Sequence, residues 1–134
     1  MRKTIVLGAV ALVLTAAIET LINQLLLKQV YLSNSTVWRP SPDLAALGPI
    51  FLLIYLVFAG AFAFLFQRAY KGGGLFEGAL IGLVVGLVAK FWYGYTNFIV
   101  LPIPHALGFL WFFYGTLECI VIGALSAVIT DKLE

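Results

Sequence analysis

Apolar residues along this chain arrive in four long blocks, with most of the polar ones collected between them. The blocks run from about 4 to 27, 47 to 66, 75 to 98 and 107 to 130. Each approaches or exceeds the roughly 20 residues that cross a hydrocarbon core of about 30 Å. Backbone N–H and C=O groups must pair internally in lipid, so blocks of this length are helices and not open strands. The pattern predicts an all-α fold, an integral membrane four-helix bundle, with residues 1–134 as a single transmembrane domain. Arg2 and Lys3 stand before the first block like the n-region of a signal peptide. The apolar run behind them is too long for one, so it is read as a retained span.

The connections follow from the breakers. Between the first two blocks, YLSNSTVWRPSPDLAALGP is polar and proline-bearing, and it is expected to be the one long loop. QRAYKGGG reads as a short turn whose glycines suit a helix exit. LPIP turns the chain before the fourth block, because each proline biases its predecessor away from helix. Asn34-Ser35-Thr36 matches a glycosylation sequon, read here as accidental in a short-looped chain of bacterial appearance.

Composition sharpens this picture. The chain is 63% hydrophobic and 10% charged, too little charge for the surface of a soluble domain of this length. Its formal net charge of +2 offers no basic field suited to nucleic acid. One cysteine, Cys119, excludes an intrachain disulfide or a CxxC site, and one histidine, His105, excludes a histidine-rich metal cluster. No cofactor or metal is expected. Arg2, Lys3, Arg68, Lys71 and Lys132 fall on one side of the spans, whereas Lys28 and Arg39 fall on the other. That bias places both termini in the cytoplasm of a cell with an inner membrane, and the long loop outside. Tyr31 and Trp38 are then expected near the outer interface, where amphipathic rings are favoured.

Two features inside the blocks carry chemistry. Gly74, Gly78, Gly82 and Gly86 recur every fourth residue, and the fourth block offers Gly115, Cys119, Gly123 and Ala127 at similar spacing. Such small-residue stripes let helix backbones approach closely in membranes. They are read as a seam between the third and fourth spans or as an oligomer contact, and Cys119 as an inert member of it. The second feature is a set of ionisable residues within the apolar blocks. Counting about 1.5 Å per helical residue, Lys90 and Glu19 each lie roughly 12 Å, and Glu118 about 16 Å, below the outer ends of their spans. Charges from three helices thus share one layer, and the cost of an isolated charge there, about 2.5–3.5 kcal/mol on insertion scales, predicts that they pair. Asn23, Tyr93, Tyr95, Thr96 and Asn97 are candidate hydrogen-bonding groups at the rim of this cluster. Three readings stand side by side: an ion pair that fixes the register of the bundle, a proton- or solute-linked site, or a contact for a partner. Glu77, at the start of the third span, is read as a helix-start residue complementing the dipole. His105 is placed in a loop at the outer interface.

At GGGLFEGALIGLVVGL followed by YGYTNF, the chain resembles a broad group of small bacterial four-span membrane proteins of uncharacterised function. In that group a Gly-Glu-Gly start to the third span precedes a tyrosine-to-asparagine ending, here Tyr93-Gly94-Tyr95-Thr96-Asn97. The resemblance covers roughly the last half of the chain and implies a four-helix fold without supplying an activity. Members carry an acidic residue near the position of Lys90, so lysine here alters any shared polar site. The chain is also similar in length and span number to the small multidrug-resistance transporters, which carry one membrane glutamate in the first helix. Glu19 sits late in its span, however, and their aromatic pattern is absent. The sequence therefore predicts a non-enzymatic protein whose partners are the bilayer and either further copies of itself or a larger membrane complex. A proton-coupled transporter of small solutes is the alternative.

Overall fold

The computed structural model of the chain describes residues 1–133. It is all-α among these residues: α1 (Arg2–Leu21) runs into a π-helical turn (Ile22–Leu26), followed by α2 (Lys28–Ser33), α3 (Ser41–Ala46), α4 (Gly48–Ala69), α5 (Gly74–Val100) and α6 (His105–Lys132). Four helical stretches, Arg2–Leu26, Gly48–Ala69, Gly74–Val100 and His105–Lys132, are long and apolar enough to cross a membrane. All four begin within two residues of the positions expected, and α4, α5 and α6 each end two or three residues beyond. The expected long loop differs more. It folds into α2 and α3, the latter carrying a proline in its first turn, where the missing N–H costs nothing. His105 opens α6 and is not a loop residue.

Two antiparallel pairs make the bundle. The tighter is α5 against α6, and its seam is the glycine stripe. A Cβ placed on Gly82 or Gly78 would enter the backbone carbonyl of Cys119 or Gly123, and one on Gly86 would stand 2.8 Å from the Thr116 Cα. Only hydrogen fits at these positions. The line also continues further than Gly86: Lys90 takes the next slot, and Gly94 then packs against the backbone of Gly108. Gly115 differs from the rest. A Cβ there would meet the Lys90 stem, 2.6 Å from Cδ, so this glycine makes room for a side chain and not for a backbone.

The second pair is α1 with α4, joined to the first pair through α6. Leu7 and Ala11 of α1, Ala59, Phe62, Ala63 and Phe66 of α4, and Ile122 and Ala127 of α6 form one buried apolar cluster. A second cluster, Ile22, Leu27, Ile103 and Leu107, lies near the opposite end, with Val37 and Trp38 of the α2–α3 connection folded onto it. Glu19 and Glu118 fall between these two clusters along their helices. The tie at the other end is polar. The Glu77 carboxylate accepts from the Gly73 N–H at 2.7 Å and from the Lys71 N–H, capping the start of α5, and the Tyr70 hydroxyl donates to Asp131 at 2.7 Å.

The seam makes a sharp prediction. Gly82→Leu and Gly123→Leu should each lower the melting temperature in detergent by several degrees, because a large side chain must push the paired backbones apart. Gly60→Leu is the control, since nothing lies within 4 Å of a Cβ there, and it should be neutral. Equal melting of all three variants would mean that α5 and α6 do not meet through their glycines.

Candidate functional site

The candidate site is the charged layer between the two apolar clusters. Lys90 reaches it because α5 runs close along α6 and Gly115 leaves a channel for its four-carbon stem. The ammonium stands 3.0 Å from Oε1 of Glu19 on α1 and 3.3 Å from Oε2 of Glu118 on α6. It also lies 5.8 Å from the centroid of the Phe58 ring on α4, within the range of a cation–π contact. One nitrogen therefore touches all three of the other long helices.

The two carboxylates are held differently. Glu19 receives hydrogen bonds from Lys90 at 3.0 Å and from Asn23 Nδ2 at 2.8 Å, and its side chain is 20% exposed. Glu118 is wholly buried, and neither of its oxygens is hydrogen-bonded. Its contact with Lys90 is thus Coulombic, within ion-pair distance but not aligned for a hydrogen bond. Fully ionised, the trio carries two negative charges against one positive. The hydroxyls of Thr15, one turn before Glu19, and of Thr116, two residues before Glu118, are also buried without a partner.

From Glu19 a hydrogen-bonded chain leads to α2 and the α2–α3 connection. Asn23 bridges Glu19 and Tyr31, whose hydroxyl donates to Asn23 Oδ1. The Trp111 indole of α6 donates to the same hydroxyl at 2.7 Å, and the Trp38 indole donates to the Tyr31 carbonyl at 3.0 Å. Burial pushes the Tyr31 phenol up to about 12, so it remains a neutral donor. Asn23 lies in the π-helical turn, whose i→i+5 bond from the Leu27 N–H to the Ile22 carbonyl closes at 2.8 Å.

The structure brings Glu19, Lys90 and Glu118 together with Asn23. Tyr93 stands beside this chain, its ring 5.2 Å from that of Trp111. Tyr95, Thr96 and Asn97 do not join. At 100° per residue, Tyr95 and Thr96 lie more than about 100° around the helix from Lys90. Tyr95 packs against the Phe91 ring and edge-on against His105, Thr96 is exposed, and the Asn97 amide donates to the Tyr93 carbonyl of its own helix. Sequence reasoning missed Tyr31, Trp111 and Phe58 as neighbours of the site. The apolar blocks give no signal for Phe58 or Trp111, and Tyr31 was legible only as an interfacial ring. Among the described residues no three His, Cys, Asp or Glu side chains are grouped to hold a metal ion.

If Lys90 is the shared counter-charge, Lys90→Met should cost about 3–5 kcal/mol of stability, the usual penalty for orphaning a buried charge. Adding Glu118→Gln should recover some of it, and adding Glu19→Gln as well should recover most, since no charge then remains to be buried. Reversible unfolding in mixed micelles reads the cycle. A double variant no more stable than Lys90→Met would show that Glu118 and Lys90 are uncoupled.

Comparisons of the chain with protein-family models, with curated proteins and with solved structures find no match, so its function is argued from this geometry.

Proposed function

We propose that this is a small, non-enzymatic structural protein of a cytoplasmic membrane, working as a homo-oligomer or as an accessory subunit of a larger membrane complex. The observation that carries the reading is the state of α4. Its second half packs on α1 through Ala59, Phe62, Ala63 and Phe66. Its first half, by contrast, is bare: Ile50, Phe51, Leu52, Leu53 and Ile54 are each about half exposed in succession, which covers every side of a helix. A helix offering apolar surface on all sides, here continuing through Leu56 and Val57 to about two turns, has packing area available to neighbouring helices. The charged layer supports the same reading, since Lys90 is engaged by the other three long helices of its own chain and so stiffens the platform from which α4 projects. The lysine and arginine bias supports cytoplasmic termini, with the α2–α3 connection outside.

A panel of single cysteines in a Cys119→Ala background tests both the topology and the assembly. Ser41→Cys should label from outside the cell and Gly73→Cys only after permeabilisation. Cross-linking from Ile50→Cys or Leu53→Cys in native membranes, by oxidation to a disulfide between two copies or by a thiol-attached photo-cross-linker to any neighbouring chain, should give a discrete dimer or a discrete adduct with one larger protein. The opposite labelling pattern overturns the topology. Monomer alone at both positions overturns assembly through α4.

One observation favours a second reading, a proton-coupled transporter of small solutes. Lys90 and Glu19 are about a fifth exposed, and Glu118, Thr15 and Thr116 keep buried polar atoms without hydrogen bonds, so the layer has capacity for a proton or a polar solute. On this reading Glu19→Gln and Glu118→Gln should each shift the pH dependence of uptake into proteoliposomes. Uptake that ignores both substitutions removes it.

A further inference from the structure

The end of the bundle where α1 begins and α4 ends carries a second polar site, remote from the Lys90 layer. Arg2, Lys3, Arg68, Lys71 and Lys132 belong to the segments that meet there, against Glu77 and Asp131 among the described residues. Both carboxylates are engaged, Glu77 by backbone N–H groups at the start of α5 and Asp131 by the Tyr70 hydroxyl. Two clefts open beside them. One, of about 300 Å³, is lined by Lys3, Gln67, Tyr70, Lys71, Gly72 and Thr130, so α1, the end of α4, the following turn and α6 all contribute to it. The other, of about 290 Å³, is lined by Thr4, Phe64, Gln67 and Arg68. Gln67 lines both, so the clefts are neighbours on either side of one amide. The Arg68 guanidinium lies 4.2 Å from the centroid of the Phe64 ring, which holds its charge against the helix.

We propose that these paired clefts bind the phosphodiester headgroup of an anionic phospholipid. Cationic side chains reach the clefts from α4 and from the turn that follows it, and charged donors are what a phosphate oxygen takes. The Gln67 amide between them gives one N–H to the Ala63 carbonyl at 3.3 Å and keeps the other to offer. The level is also right. Gln67 and Arg68 occupy the last turn of a helix long enough to span a membrane, where the headgroups of the adjacent leaflet lie. Directly along the helices toward the interior, Phe64 and Leu65 of α4 and Ile5 of α1 are exposed, 57%, 45% and 64% respectively, and offer apolar surface to acyl chains. Basic pockets between span ends on the side richer in lysine and arginine are suited to anionic lipids for these reasons. Inorganic phosphate shares the headgroup chemistry but gains nothing from the apolar flank, so the lipid is the ligand.

Native mass spectrometry of the full chain, released from mild detergent with phosphatidylglycerol or phosphatidylcholine of matched chain length, tests this. The unaltered protein should retain phosphatidylglycerol several-fold over phosphatidylcholine, and millimolar inorganic phosphate should not displace it. Arg68→Gln with Lys71→Gln should abolish the preference. Both residues are exposed, so the variant should keep its melting temperature. Lys28→Gln with Arg39→Gln, which removes the same charge from the other end, should leave the preference intact. Equal retention of the two lipids, a preference that survives Arg68→Gln with Lys71→Gln, or displacement by inorganic phosphate would each overturn the proposal.

Discussion

A single ammonium in an apolar interior sets the terms for the rest of this molecule. Taking Lys90 out of water costs several kcal/mol unless opposite charge is waiting, and the waiting charges belong to other helices. Glu19 from α1 and Glu118 from α6 meet it within 3.3 Å, and the Phe58 ring of α4 faces it from a third direction. The glycine stripe and the ion cluster are one device. Positions 78, 82, 86 and 94 must be glycine for α5 to lie on the backbone of α6, and only a helix held that close can pass a lysine stem over Gly115 to Glu118. Loosening the seam would strand the charge, while neutralising the charge would remove what fixes the helices' rotation.

The two acids around this base are not equivalent, and the difference follows from what lies beside each. Glu19 stands next to the π-helical turn, which places Asn23 against it and links it through Tyr31 and Trp111 to the α2–α3 cap. Glu118 has no such donor, and both of its oxygens are buried with the Lys90 ammonium at 3.3 Å. A site in which one acid is tethered to the α2–α3 cap and the other is closed in answers perturbation unevenly. Loss of the cap should be felt first at Glu19, whereas a change in the seam should be felt first at Glu118.

Much of this was legible in the sequence, and the boundary of what was legible is physical. Block length gives the four long helices because lipid leaves the backbone no alternative. Depth counting brings Glu19, Lys90 and Glu118 to one layer because the rise per helical residue is fixed. Rotation about each helix axis is not fixed in the same way. Tyr95, Thr96 and Asn97 sit at a suitable depth, yet Tyr95 and Thr96 lie well around the helix from Lys90 and Asn97 spends its amide on its own helix. Gly115 belongs to the small-residue stripe by spacing, but its contact is the Lys90 stem, which the spacing of one helix cannot reveal. The α2–α3 connection reads as loop because its short helices are stabilised by Val37 and Trp38 packing onto residues from the far end of the chain.

The uneven packing of α4 is the consequence that bears most on function. Where α4 is buried it meets α1 through alanine and phenylalanine, and its buried positions begin at Ala59, next to Phe58 at the level of Lys90. Beyond that level the other three helices are occupied with one another and with the cap over Ile22, Leu27, Ile103 and Leu107. The charged layer thus divides the molecule into a half where four helices pack together and a half where three do. A bundle that needed only its own core would gain by laying the whole of α4 against α1. That it does not leaves more than two turns of leucine, isoleucine and phenylalanine to be covered from outside, by lipid or by another helix. Of these, only another helix can add the close packing and hydrogen bonding that lipid chains do not supply.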